Sequence, residues 1–235
     1  MPRRSPTEAP ALGRPVFVLN LKAYPASLGR GAMAIGEALA RQSSRAGVAA
    51  AIAPAAPDLG RLAETLWIPV LAQHVDPAAA GARTGHVVVE SLQAVGARGS
   101  LLNHSEHPVP TRVLSATLDR LRAADLTAVV CARGVRTAAR LAKFEPPYLA
   151  VEPPELIGGT LSVSTARPEV ISGTVEAVRR VSPRTQVLCG AGIHDQEDVS
   201  RALALGAQGI LVASAVTTAP KPARAIAELL AGFSR

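Results

Sequence analysis

Aromatic side chains are scarce. Three Phe, two Tyr and one Trp make up 3% of the 235 residues. With so few rings there is no basic stripe interleaved with aromatics, the usual platform for single-stranded nucleic acid. Cysteine is scarcer still: Cys131 and Cys189 cannot make a disulfide framework or a Cys-rich zinc site, and a reducing, cytoplasmic setting is the expectation. No Gly-x-Gly-x-x-Gly follows the first apolar run, which argues against dinucleotide binding. A Gly-x-Ser-x-Gly elbow for a serine nucleophile is missing as well. The longest uncharged run, 202–220, has 19 residues, a length at which a membrane span must be considered. It contains Gly206, Gln208, Gly209, Ser214, Thr217, Thr218 and Pro220, and divides into helix end, turn, strand and loop. No membrane contact is expected.

The charge is one-sided, with 25 Lys+Arg against 18 Asp+Glu, a net +7. Arg3, Arg4 and Arg14 against Glu8 place +2 of this in residues 1–14. That segment is Pro-rich and lacks an apolar stretch, so it is expected to be a disordered basic leader and not a signal peptide. The remaining arginines are scattered through helical patterns. An anionic small molecule accounts for such a field as well as nucleic acid does, and no nucleic-acid partner is expected.

What is plentiful is aliphatic: 48% of the residues are hydrophobic, enough for a sizeable core. Short apolar runs at 16–21, 48–53, 70–73, 100–103, 127–131, 148–152, 186–189 and 209–212 read as strands. They are continuous, as in strands buried on both faces. Helical patterns at 31–45, 111–123, 135–143, 168–181, 197–205 and 223–231 lie between them. Eight strand-then-helix units in one domain-sized chain point to an α/β fold, a single (β/α)8 barrel over 15–235. A doubly wound open sheet is the structural rival.

A barrel collects its chemistry where strands end, on the carboxyl rim. The first strand ends in Asn20-Leu21-Lys22, the fourth in Asn103-His104-Ser105-Glu106, and the sixth in Glu152. The seventh ends in Gly190-Ala191-Gly192 and the eighth in Ala213-Ser214. Asn20 and Lys22, two apart, project from the same side of a strand. Lys22 alone reads as well as a snorkelling surface lysine. His104 opens a stretch able to form a short helical turn, whose N-terminus would lower its pKa and keep it neutral. A structural histidine is the plainer alternative. His104 and His107 are three apart, but no third metal ligand stands in a recognisable motif. Glu152 is either half of a structural ion pair or a base. Pro153-Pro154 and the glycine-rich 157–160 after it look like a rigid hinge and a moving lid, favouring the base. The glycines after the seventh and eighth strands let backbone N–H groups approach an anion, or serve two tight turns.

These residues together resemble triosephosphate isomerase, in the short form typical of archaea. The matching segments are Asn20-Leu21-Lys22, Ala72-Gln73-His74-Val75-Asp76, Thr84-Gly85-His86, Asn103-His104-Ser105-Glu106, Glu152-Pro153-Pro154-Glu155-Leu156-Ile157-Gly158, Cys189-Gly190-Ala191-Gly192-Ile193 and Val212-Ala213-Ser214. The resemblance implies interconversion of dihydroxyacetone phosphate and glyceraldehyde 3-phosphate, in glycolysis and gluconeogenesis, without cofactor or metal. It implies Glu152 as the base, His104 as a neutral electrophile, Lys22 as positive charge and Asn20 as a hydrogen-bond donor. Glu106 would orient Lys22, and Ser105 would contact the base. Ile157, Gly158, Gly192, Ala213 and Ser214, with Asn20 and Lys22, would hold the substrate and its phosphate. Family members are dimers or tetramers; a tetramer is favoured here, with Gly81-Ala82-Arg83-Thr84-Gly85 matching the loop that enters a neighbour's site. Three features depart from the family: Gly158-Gly159-Thr160 where Gly-Thr-Gly is usual, His107 where Arg is usual, and the basic extension before Val16. Other phosphate-binding barrels, such as thiamine-phosphate or indole-glycerol-phosphate synthases, share the glycine sites but do not require Asn20, Lys22, His104 and Glu152 together. A non-catalytic basic binding protein on a degenerate barrel is the rival from another class.

Overall fold

Strands buried on both faces, with successive side chains pointing alternately into the barrel and out against the helices, build this molecule. A computed structural model describes residues 12–153, 164 and 167–234. Its strands are β1 (Val16–Asn20), β2 (Ala49–Ala53), β3 (Leu71–Ala72), β4 (Gly99–Leu102), β5 (Thr127–Ala132), β6 (Tyr148–Val151), β7 (Gln186–Cys189) and β8 (Gly209–Val212). All are parallel, in the order β2-β1-β8-β7-β6-β5-β4-β3. An Ile52–Val70 bridge and the Ile52 N–H to Pro69 carbonyl bond join the two ends. The sheet is thus a barrel, and the open-sheet rival is set aside.

Inward positions form one core: Val16 and Val18 of β1, Leu71, Leu101, Val129, Cys131, Ala150, Leu188 and Leu211. Outward positions such as Phe17, Leu19, Leu102, Val151 and Cys189 form a second, larger core against the helices. Strands buried on both faces explain why the sequence shows continuous apolar runs and no alternation. The helices are α1 (Arg30–Ala46), α2 (Leu59–Thr65), α3 (Val89–Ala94), α4 (Thr111–Ala123), α5 (Val135–Ala142), α6 (Pro168–Val181), α7 (Gln196–Ala204), α8 (Ser214–Thr217) and α9 (Pro222–Ala231). The six helices singled out in the sequence fall within one residue of their expected ends. The short α2 and α3 carry too few turns for a 3.6-residue period to show.

Local chemistry fixes the ends. Pro168 opens α6 at a position where a missing N–H costs nothing. Asp195 caps α7 by accepting from the Asp198 N–H at 2.9 Å. The uncharged run 202–220 is split among α7, β8 and α8, and no described helix is long and apolar enough to cross a membrane.

Residues just ahead of β1 pack against the barrel. Leu12 is buried in the inner core, and its N–H donates to the Tyr148 hydroxyl at 2.8 Å. Leu12 and Gly13, assigned to the leader from sequence, close the barrel's N-terminal end. The expected leader up to Ala11 lies outside the described residues, as do Ile157, Gly158 and the rest of the proposed lid tip.

Candidate active site

Strand parity carries polar groups to one mouth. In β1, Val16 and Val18 line the interior, so Asn20 follows inward; Asn20 is 5% exposed. In β6, Tyr148 and Ala150 lead to Glu152, which is 4% exposed. Its N–H continues the ladder to the Ala132 carbonyl at 2.8 Å. His104, after β4, is 6% exposed. Burying three such groups costs free energy unless something uses them.

They are linked in a chain. Lys22 Nζ sits 2.7 Å from Glu106 Oε1. Glu106 Oε2 lies 3.6 Å from His104 Nδ1, and His104 Nε2 lies 3.6 Å from Glu152 Oε1. The other oxygen of Glu152, Oε2, is buried without a hydrogen-bond partner among the described residues. The Glu106 backbone N–H donates to His104 Nδ1 at 3.2 Å. Nδ1 is therefore the bare nitrogen of the neutral ring, and the ring N–H is on Nε2, facing Glu152.

The structure corrects one expectation. No helix starts at His104: a single turn, closed by the His107 N–H on the His104 carbonyl at 2.8 Å, precedes α4 by several residues. Without that helix there is no terminal dipole to depress the imidazole. Burial still pushes the His104 pKa down, but the Glu152 carboxylate, through hydrogen bonding and charge, and then Glu106 outweigh it, and the net direction is up. Ser105 makes no side-chain hydrogen bond among the described residues; Glu152 faces His104 instead.

Lys22 has φ +50, a left-handed backbone uncommon for a long side chain. Two neighbours hold it. Its N–H donates to Asn20 Oδ1 at 3.0 Å, and its carbonyl accepts from Gln73 Nε2 at 3.0 Å. Gln73 Nε2 also reaches the Ala53 carbonyl at 3.0 Å, tying β1 and β2 to the end of β3. Nothing in the sequence marked Gln73 as a clamp beyond its place at a strand end.

Small residues close the far side. A Cβ on Gly190 would lie 2.4 Å from Glu152 Cγ, so only glycine lets β7 pass this close to the carboxylate. Gly192 takes φ +61 beyond it. With Ala213 and Ser214 these glycines line the same cleft as Asn20, Lys22, His104 and Glu152. The cleft thus gathers Asn20, Lys22, His104, Glu152, Gly192, Ala213 and Ser214, with Glu106 tied to it through Lys22, while Ser105 is not among its lining residues. The positive field is less concentrated: Arg14, Arg122, Arg179 and Arg184 line a groove at the opposite, N-terminal end of the strands.

The loop after β3 is open to solvent. Residues 79–86 are exposed, while its base is pinned by the Val87 N–H on Asp76 Oδ2 at 2.9 Å. Asp76 also faces His74 at 3.3 Å and His86 at 3.4 Å, and the His74 ring packs against His107 at 4.2 Å.

Comparison with known proteins agrees with this geometry. The family described as Triosephosphate isomerase matches residues 15–230. The Triosephosphate isomerase of Methanosarcina barkeri is 44% identical over 219 residues, 93% of this chain and 99% of that protein. That of Methanothermus fervidus is 43% identical over the same shares. That of Methanocaldococcus jannaschii is 40% identical over 92% of this chain and 98% of its own length. On a (β/α)8 barrel matched over nearly its whole length, the chain belongs to the triosephosphate isomerase family, a family of isomerases.

Proposed function

We propose that the chain interconverts dihydroxyacetone phosphate and D-glyceraldehyde 3-phosphate, with Glu152 as the base and His104 as the electrophile. The observation that carries this assignment is the pair itself: a buried carboxylate with one oxygen unpartnered among the described residues, facing the N–H of a buried imidazole across one cleft. A proton beside a carbonyl is weakly acidic, so a base needs an electrophile to hold the negative charge that develops on oxygen. Glu152 takes the carbon-bound proton; the C–H electron pair becomes the C=C bond of the enediolate, and the carbonyl pair moves onto oxygen. His104 donates from Nε2 to that oxygen. Glu152 then returns the proton to the former carbonyl carbon, where the C=C pair takes it up. The hydroxyl on the first carbon meanwhile passes its proton through His104 to the former carbonyl oxygen, and its O–H pair becomes the new C=O bond. Electrons only move within the substrate, so the reaction calls for no redox cofactor, and no metal is assigned.

The raised pKa of His104 fits this cycle. Once Glu152 has taken the proton it is neutral, and its upward push on His104 vanishes. Burial and Lys22 then act downward against Glu106 alone, which favours the neutral imidazole while it donates. Lys22 supplies charge to the substrate, Asn20 a hydrogen bond, and Glu106 orients Lys22. Backbone groups of Gly192, Ala213 and Ser214 hold the phosphate with Ile157 and Gly158, and Ser105 steadies the base when it turns away. The exposed loop with Thr84 enters a neighbour's site in a dimer, and two dimers form a tetramer. The setting is cytoplasmic, in glycolysis and gluconeogenesis.

A coupled assay with D-glyceraldehyde 3-phosphate tests the assignment. Turnover by the purified protein that disappears in Glu152→Gln is expected. A folded wild-type protein with no turnover overturns it.

A further inference from the structure

Alternation along β4 puts His104 on the wrong side. Leu101 lines the barrel interior and Leu102 packs outward against the helices. Continued extension would send Asn103 inward and His104 out among the helices. His104 nevertheless faces Glu152 in the cleft. The reversal occurs at Asn103, which has φ +58. Asparagine is among the few side chains that tolerate this region.

Both ends of the Asn103 amide are used. Nδ2 donates to the Cys131 carbonyl of β5 at 2.9 Å. Oδ1 accepts from the Val109 N–H at 3.1 Å. A carbonyl can only accept and an N–H only donate, so the amide has one allowed orientation. The turn carrying His104, Ser105 and Glu106 is therefore looped around a side chain anchored to β5 and to the start of the segment entering α4. Within that turn the Glu106 N–H fixes His104 Nδ1 as acceptor.

We infer that Asn103 is a positioning residue for His104: its left-handed backbone turns the imidazole into the cleft, and its amide locks the turn that sets the ring's tautomer and aim. The inference rests on His104 being the electrophile. A ring held this way presents the Nε2–H to the substrate oxygen without reorganising during the reaction. Loss of the lock leaves substrate binding largely intact, because the groups assigned to the phosphate lie after other strands. Lys22, though paired with Glu106 of this turn, is also held through its backbone by Asn20 and Gln73.

Asn103→Gly tests it. Glycine adopts the left-handed backbone freely and deletes both amide bonds. Asn103→Asp is the second variant, keeping the acceptor for Val109 while placing an oxygen against the Cys131 carbonyl. Each is expected to lower kcat by about 10–100-fold, the scale of a misaimed catalytic group, with KM within about twofold. The ¹⁵N signals of the His104 ring should move from a single Nε2–H tautomer toward a mixture. If Asn103→Gly does not fold, Asn103→Asp carries the same two readouts. Folded variants with kcat within about twofold of wild type overturn the inference. Loss of kcat with unchanged tautomer signals overturns it too, since a merely structural role gives that pattern. His104→Gln separates the two levels. If it lowers kcat while the Asn103 variants do not, only the positioning role falls; if it leaves kcat intact, the electrophile assignment falls and takes the positioning role with it.

Discussion

His104 Nε2 and Glu152 Oε1 face each other at 3.6 Å, and both side chains are almost wholly buried. That separation is too long for a strong hydrogen bond. It is close enough for each charge state to govern the other.

Glu152→Gln should keep the fold and lose most turnover. Removing a positioned general base costs about 10²–10⁴ in rate, and an amide cannot take a carbon-bound proton at a useful rate. The change is nearly isosteric, so melting temperature should stay close to wild type. Retention of more than about a tenth of kcat would remove Glu152 from its role as base.

The same variant should lower the His104 pKa. Glu152 is the leading upward influence, so its neutralisation leaves burial and Lys22 acting downward against Glu106 alone. Ring-proton NMR titration of His104 in wild type and Glu152→Gln measures this directly. A midpoint that stays put would mean the carboxylate does not control the imidazole.

Stability should follow pH in a matching way. A histidine raised above its ordinary 6.5 stabilises the fold fully below that pH, and the contribution fades as pH rises through the folded value. His74 works in the opposite sense. Burial, with the charge of His107, lowers it despite Asp76, so its contribution is lost as pH falls below 6.5. Asp76 itself is lowered from 3.8: burial opposes this, but the Val87 N–H, His74 and His86 prevail, and that contribution is lost at still lower pH. Urea unfolding at fixed protein concentration should therefore show an alkaline decline that Glu152→Gln flattens and an acid decline that it leaves alone. An unchanged alkaline limb in the variant would contradict the His104 assignment.

Much of this site was legible from strand parity. Asn20 and Lys22 share a side because they are two apart, and Glu152 extends the inward series of β6. His104 is different: alternation misplaces it, and the turn at Asn103 corrects a direction that no period could give. The expected helix dipole at His104 failed because one hydrogen-bonded turn is too short to sum peptide dipoles. Gln73 and Gly190 stood out by position, but the clamp on Lys22 and the close approach to Glu152 were illegible for another reason. Their importance lies in contacts with strands distant in sequence, and a one-dimensional pattern contains no such distances.

Self-association should be visible in solution. Light scattering should give a mass of at least twice the 24.2 kDa chain. The loop 79–86 is exposed and pinned at its base by Asp76, which leaves it accessible to a second copy. Thr84→Arg should then reduce mass and kcat together. A stable, fully active wild-type monomer would end the proposal that Thr84 completes a neighbour's site.

Gly190→Ala offers the most local test of the base. Its Cβ would meet Glu152 Cγ at 2.4 Å and Cδ at 3.0 Å, inside the distances real side chains tolerate. Relief can come from the backbone of β7 or from the Glu152 side chain. β7 is held by its bonds to β6, including the Gly190 N–H on the Val151 carbonyl at 2.9 Å. The carboxylate is the softer of the two, since it rotates about its own side-chain bonds. One methyl group should therefore push the base off its line to the substrate while the barrel stays folded. A displacement on this scale is expected to cost about 10²-fold in kcat, with phosphate affinity, read from inhibition by inorganic phosphate, changing far less. Near-normal kcat in folded Gly190→Ala would show that β7 yields before Glu152 does. The close approach of the two residues would then be packing without catalytic consequence.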